Sequence, residues 1–367
     1  MWGNDAATSS DGEWLFVNAS NQVESDLSSV AGPHSTATVT DGNWHYVGVI
    51  NSAGTFQIYV DGAASGSSTS MSPSLGSTYE VIGAPGQGTN KNQLWYFSGQ
   101  IDDVRIYNYA RTLAQIAWDY NRGAPVAWWK FDECQGTIAH DSSGNGINGT
   151  ITIGGSGTQT SAGTCTDGLS TSAWYNGRNG KLNYSLNFDG TDDYVNGFVG
   201  GNPGPGANLP AETVSAWVKP ASVGSSMYVL ASGNTNQIYD IAKLFLNSAG
   251  KWALNFTNSS QVSSSPDATS NSAAVAGQWV QLVGVYNGTT VKLYVNGIPQ
   301  TTTGSLTGNT NSQSTGFGIG TYGTVANSTF NGQIDDVRIY NYALTATQVQ
   351  LLYNNGAYSV APVTGVP

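Results

Sequence analysis

Charge is scarce in this chain of 367 residues: Asp, Glu, Lys and Arg together make up 10%. The 23 acidic residues outnumber the 12 basic ones, leaving a formal net charge of −11. A surface of that sign argues against nucleic acid or an anionic lipid face as partner. No apolar run approaches the ~20 residues of a membrane helix, so no membrane insertion is expected. The opening residues, MWGNDAATSSDGEW, show no basic stretch followed by an apolar one, so no secretory leader is expected there. Glutamate is rarer still. Glu13, Glu24, Glu80, Glu133 and Glu212 are the whole set, and no two stand five positions apart. The histidines are only His34, His45 and His140, and no Cys/His spacing suits zinc. No Gly-x-Ser-x-Gly elbow occurs either, so catalysis is not expected. Two cysteines, Cys134 and Cys165, lie 31 positions apart among polar turn residues. A disulfide between them is expected, with an oxidising, extracellular setting, and two unpaired thiols are the alternative.

Glycine (47 residues), tyrosine (19) and tryptophan (11) are plentiful, and hydrophobic residues reach 39%. That mixture suits many short strands joined by Gly- and Asn-rich turns. The string GQIDDVRIYNYA occupies 99–110 and recurs unchanged at 332–343. Around it the correspondence lengthens: WHYVGVINSAGTFQIYVDG (44–62) matches WVQLVGVYNGTTVKLYVNG (279–297), and TLAQIAWDYNRG matches TATQVQLLYNNG. Ahead of the second copy stand about 110 further residues, from PVAWWKFDECQG to ETVSAWVKPAS, with no counterpart in the first. The expected organisation is a module at 1–122 lacking N-terminal strands, a complete module at 123–358, and a tail at 359–367 that echoes the linker between them.

The dominant period is two. In TVKLYVNG, Val291, Leu293 and Val295 alternate with Lys292, Tyr294 and Asn296, and Asn-Gly closes the strand as a hairpin turn does. After each repeated string a short helix is expected, started in the second copy by Thr345, with Val349, Leu352 and Tyr353 at helical spacing. The fold class is therefore all-β, as tandem jelly-roll sandwiches with one short helix after each closing strand. Trp44 and Trp279, Trp14 and Trp252, and Trp217 are expected in the cores.

Four motifs in order carry a resemblance: AWWKFDECQGTIAHDSSGNG, SLNFDGTDDYVNG, TVSAWVKP and NGQIDDVRIYNYALTATQV. They resemble the strands of laminin-G-like jelly rolls of the concanavalin A-like lectin/glucanase superfamily. The superfamily's glucanases use a Glu-x-Asp-x-x-Glu strand that five scattered glutamates cannot supply. Strict alternation along QIDDVRI turns Asp335 inward with Val337 and Ile339, and Asp336 outward with Arg338. A buried carboxylate needs a cation or donors. The resemblance places the opening strand beside the closing one, so Asp132, Glu133 and Asp141 are expected to join Asp335 around a structural Ca2+. Pairing with Arg338 or with backbone amides is the alternative. For ligand binding, Trp95 and Tyr96 stand where the second copy has Ser328 and Thr329, and Trp174 and Tyr175 lie in a Gly-rich insertion. For Trp174 and Tyr175 the competing expectation is a loop hydrophobe tucked over the sandwich.

The function expected is non-catalytic recognition or adhesion by a secreted or cell-surface microbial protein that binds glycan or a surface protein. The alternative is a spacer or assembly unit of a surface filament, and a third reading is an accessory module of a carbohydrate-active enzyme. The incomplete first module is expected to expose sheet edges and so to invite self-association.

Overall fold

The computed structural model describes residues 2–5, 13–27, 31–72, 79–83, 96–121, 123–198, 208–233, 241–311, 316–322 and 328–354. The chain divides into two units, Met1–Gly123 and Ala124–Pro367. No helix among the described residues is long and apolar enough to cross a membrane.

Unit two is a sandwich of two antiparallel sheets. One runs, in spatial order, through Ala127–Trp129, Asn331–Tyr340, Glu212–Pro220, Val280–Tyr286, Thr290–Val295 and Ile298–Ser305, with Leu186–Asp189 also paired to Asn331–Tyr340. The other runs from Ile138–Ala139 through Gly149–Thr152, Tyr194–Phe198, Gly316–Ile319, Met227–Gly233, Ala242–Leu246 and Trp252–Phe256 to Ala268–Thr269. Their inner faces meet in one apolar core, where Trp129 of the first sheet lies 4.1 Å, ring to ring, from Phe317 of the second. The turns follow the sequence: Asn296 and Gly297 both take positive φ (51° and 75°), the I′ geometry that matches strand twist. The helix Ala346–Tyr353 starts at Thr345, whose hydroxyl accepts from Gln348 N while the Gln348 side chain accepts from Thr345 N.

Unit one holds a five-stranded sheet ordered His34–Thr38, Gln22–Leu27, Glu13–Val17, Trp2–Asp5 and Tyr79–Ile82. A second, small sheet is built on Val47–Ser52 and Thr55–Val60, with Ala63–Ala64 and Thr69–Ser70 both joined to Thr55–Val60. Val23, Ile58 and Val60 form its small core. The hairpin of unit two has its copy here: Asp61 N donates to Tyr46 O as Asn296 N donates to Gln281 O, both at 2.9 Å. The helix Leu113–Asn121 follows the repeated string as expected.

The repeated string behaves differently in the two units. In unit two it is the ten-residue strand Asn331–Tyr340, flanked on one edge by Ala127–Trp129 and Leu186–Asp189 and on the other by Glu212–Pro220. In unit one, residues 99–107 belong to no sheet among the described residues. Strands need partners for their N–H and C=O groups, and no counterpart of those three is found among the described residues of unit one.

Trp252 and Trp217 are buried. Trp279 is half-buried, whereas its counterpart Trp44 is 64% exposed. The strand after Trp279 is covered by Glu212–Pro220, with Val280 opposite Val218, and no such cover is found among the described residues of unit one. The Trp14 side chain lies outside the described residues.

Candidate functional site

The strand Leu186–Asp189 runs into the turn FDGTDD, which gathers Asp189, Asp192 and Asp193 in unit two. One ligand oxygen from each lies within 4.8 Å of the others. The segment 154–159 wraps the carboxylates with backbone amides. Asp189 Oδ2 accepts from Thr158 N (2.6 Å) and Gln159 N (2.9 Å), Asp192 Oδ2 from Ser156 N (2.9 Å), and Asp193 Oδ1 from Gly154 N (3.2 Å). Only glycine allows this approach: a Cβ on Gly154 would lie 1.8 Å from Asp192 Cγ, and one on Gly157 2.2 Å from Asp189 Oδ2. Asp193 is fully buried, and desolvation, reinforced by the neighbouring Asp189 and Asp192 charges, pushes its pKa up to about 6.

Two oxygens here have no hydrogen-bond partner: Asp192 Oδ1 and Gln159 Oε1. Gln159 is fully buried, and its amide nitrogen is spent on Asn187 O (3.1 Å) and Asp193 Oδ2 (2.7 Å), which fixes the amide orientation. Buried acceptors are nearly always satisfied, so the set fits a hard, oxygen-seeking cation such as calcium. The motif was read from sequence only as a strand and turn. Its signal was the Asp-x-x-Asp-Asp spacing after Phe188.

Among the described residues, no three of Asp132, Glu133, Asp141 and Asp335 bring ligand oxygens within 4.8 Å of one another. Asp335 is fully buried as anticipated, but its Oδ2 accepts from Lys181 N and Leu182 N, each at 2.8 Å. The same turn serves Asp132, whose Oδ1 accepts from Tyr184 N at 3.1 Å. Glu133 Oε1 takes the His140 amide at 2.7 Å. Asp141 holds its own loop, accepting from Trp128 N, Ser143 N, Ser143 Oγ and Ile147 N. Backbone donors, the alternative left open by the sequence, therefore take Asp335 Oδ2, Asp132 Oδ1 and Glu133 Oε1, while Asp335 Oδ1 and Glu133 Oε2 are buried without a hydrogen-bond partner. Alternation also fails at this point. Asp336 and Val337 both stand opposite Ala216, a bulge with Asp336 at φ 51°, so Asp336 is buried too and pairs with Arg338 at 2.9 Å and Trp128 Nε1 at 2.6 Å. Burial and the nearby Asp336 and Asp132 charges push the Asp335 pKa up to about 8, against the two amides.

Of the ligand-binding candidates, Trp95 lies outside the described residues and Tyr96 is exposed. Trp174 is fully buried, its indole donating to Gly136 O at 2.9 Å, so it plugs the sandwich and offers no open face. That corrects the expectation for Trp174. Its neighbour Tyr175 is half-buried on the short helix Ala173–Gly177, with the Arg178 guanidinium 3.8 Å above its ring. The Cys134–Cys165 disulfide forms, with Cα atoms 5.1 Å apart, and pins the start of this insertion to the opening strand's end.

A laminin G family model, described as that of the Concanavalin A-like lectin/glucanases superfamily, matches residues 3–117 and 189–350. The chain belongs to this family. The two matched regions are a truncated and a complete copy of the laminin-G-like fold. No curated protein matches the chain. Among solved structures it is similar to domain 4 of AbnA, a GH43 extracellular arabinanase from Geobacillus stearothermophilus, in complex with arabinotriose. The identity is 23%, over 63% of this chain and 98% of that one, with a TM-score of 0.44. The receptor binding domain of botulinum neurotoxin D is 12% identical over 64% of this chain and 53% of that one, with a TM-score of 0.45. The serotype D ligand binding domain in complex with N-acetylneuraminic acid is 13% identical over 65% and 52%, with a TM-score of 0.45. The chain thus spans about half the length of these toxin domains.

Proposed function

We propose that the chain is a non-catalytic recognition module acting outside the cell, with glycan as its ligand and calcium held by Asp189, Asp192 and Asp193. The observation that carries the glycan reading is the Tyr175–Arg178 stack in unit two. The guanidinium covers one face of the part-exposed ring, and with the amide side chains of Asn176 and Asn179 next to it in sequence it joins apolar surface to hydrogen-bonding groups, which is what a sugar requires. The pair is presented rigidly. Ser172 caps the helix, buried Trp174 anchors it, and the disulfide closes the insertion. Family membership supports the same reading.

For a non-catalytic role, the support is limited to the two glutamates of unit two, which cannot form a catalytic glutamate pair. Glycoside hydrolysis needs two accessible carboxyls within about 10 Å of each other. Glu212 is sealed in its strand at 0% exposure, and Glu133 Oε1 is tied to a backbone amide. Calcium is supported by the three clustered carboxylates and the orphaned Gln159 oxygen. When bound, the ion would supply charge neutralisation there, while this chain's amides from Gly154, Ser156, Thr158 and Gln159 orient the ligating side chains. An extracellular setting is supported by the disulfide.

The test is a glycan array probed with the intact chain, with calcium and with a chelator, beside the Tyr175→Ala variant. Glycan binding that disappears in Tyr175→Ala while the variant still unfolds in one cooperative transition supports the reading. A blank array, or turnover of a bound glycan, overturns it.

A further inference from the structure

In the first sheet of unit two, Trp217 stands opposite Gln281 on one side and opposite Asp335 on the other. Residues directly opposite in a ladder share a face, and side chains alternate along each strand. Ala216, Val218, Leu282 and Ile334, chain neighbours of these three, belong to the apolar core. Gln281, Trp217 and Asp335 therefore form one cross-strand row on the other face of the sheet, with Gln333 two places from Asp335 on the same side. That face is covered. Gln281 and Asp335 are 0% exposed, Trp217 2% and Gln333 9%.

All four residues carry polar atoms without a hydrogen-bond partner: Trp217 Nε1, both amide atoms of Gln281, Asp335 Oδ1 and Gln333 Oε1. The Gln333 amide is oriented by its nitrogen, which donates to Asn176 O at 2.7 Å, so its oxygen is the unpartnered atom. Leaving one buried polar atom bare weakens folding by about 5-fold or more, and here five stand on one face of one sheet. The set also defines what satisfies it. The N–H donors of Trp217 and Gln281 repel a bare cation, and the oxygens of Gln281 and Gln333 repel an anion. A hydroxyl, which donates and accepts at once, answers both. Over Trp217 the cover is one side chain deep. Tyr353, at the end of its helix and 36% exposed, stacks on Trp217 with ring centroids 5.6 Å apart, and the exposed Lys181 holds its Nζ 4.5 Å over the Trp217 ring.

We propose that Gln281, Trp217, Asp335 and Gln333 form a buried hydroxyl-binding site beneath Tyr353 and Lys181, filled either by ordered water or by the hydroxyls of a sugar. Trp217 Nε1 and the Gln281 amide nitrogen donate to the bound oxygens, and the oxygens of Gln281, Gln333 and Asp335 accept from their protons. Water fits such a site because each molecule makes about three hydrogen bonds. A sugar enters by taking the place of the Tyr353 ring on Trp217, which joins aromatic stacking to the same polar atoms. The inference uses neither the Tyr175–Arg178 pair nor Asp189, Asp192 and Asp193, so it stands or falls without the glycan and calcium readings.

The test uses the full chain with isotope-labelled tryptophan. The Trp217 indole signal is identified by its disappearance in Trp217→Phe, which keeps an aromatic ring in place. A rotating-frame magnetic cross-peak from that indole proton to water identifies solvent as the occupant. A saturable shift of the signal on titration with glucose or arabinose identifies a sugar hydroxyl. Either result supports the inference, and a signal that shows neither overturns it. Denaturant titration of Gln281→Met gives a second reading. In an occupied site this variant strips the bound hydroxyls of their partners, and the folding equilibrium constant is expected to fall at least about 5-fold. A variant as stable as wild type or more stable overturns the inference, because removing bare polar atoms from a buried face does not weaken folding.

Discussion

Asp102 and Asp335 hold the same place in an identical twelve-residue string, yet Asp335 is fully buried on two backbone amides and Asp102 is exposed, its Oδ1 capping the amide of Asp103. The difference lies in the neighbours, not in the string. Asp335 has the turn 181–184 and the strand Glu212–Pro220 beside it, and neither has a counterpart among the described residues of unit one.

Asp335 makes the stability of unit two depend on pH. Its folded pKa of about 8 stands above the ordinary value of 3.8, so the folded state keeps a proton that the unfolded chain has lost. Stability is complete below about pH 4 and falls as pH rises toward about 8, at about 1.4 kcal/mol per unit of pKa difference. Melting curves of wild type and Asp335→Asn across that range test this. The wild-type melting temperature is expected to fall with pH more steeply than that of the variant.

Glu212 is buried with neither carboxyl oxygen partnered, and burial raises its pKa well above the usual carboxylate range. Replacing it by the similarly shaped Glu212→Met removes an unsatisfied polar group from the sheet. The variant is expected to be more stable by about 1–3 kcal/mol in denaturant titration, with an unchanged m-value.

Trp174 and Tyr175, adjacent in sequence, are expected to separate cleanly. Trp174→Ala empties a core position and costs about 3–5 kcal/mol, whereas Tyr175→Ala removes a half-buried ring and one cation–π contact at about 1 kcal/mol. Chemical denaturation of the two variants gives the comparison.

The Cys134–Cys165 bridge closes a loop of 31 residues' separation. Cys134→Ser/Cys165→Ser is expected to lose about 2–4 kcal/mol and to loosen the Tyr175–Arg178 stack. Thermal melting under oxidising and reducing conditions measures the loss. The double variant is expected to be indifferent to the reductant.

Much of the fold was legible in the sequence because its signals are local. Asn296-Gly297 turns the hairpin, Thr345 and Gln348 cap the helix, and period-two alternation marks Val291 and Leu293 as inward, although Tyr294, assigned to the other face, is buried as well. The candidate site was not legible in the same way. Alternation separates Asp335 from Asp336, but the bulge at Asp336 buries both, and a bulge is set by the partner strand. The turn 181–184 that satisfies Asp335 lies more than 150 positions away, so no local pattern announces it. Asp189, Asp192 and Asp193 sit in a motif quoted for its strand, and their meaning depends on Gln159 and two glycines contributed by another segment. Trp44 and Trp279 match in sequence and differ in burial, because the covering strand Glu212–Pro220 has no counterpart among the described residues of unit one.

Hydrogen exchange of the intact chain tests the central claim, that one string adopts two states according to its neighbours. Peptides are told apart by Ser98 in the first copy and Asn331 in the second. The account expects fast exchange at residues 100–106 and slow exchange at 333–339, differing by roughly 100-fold or more. Equal protection of the two copies would contradict it.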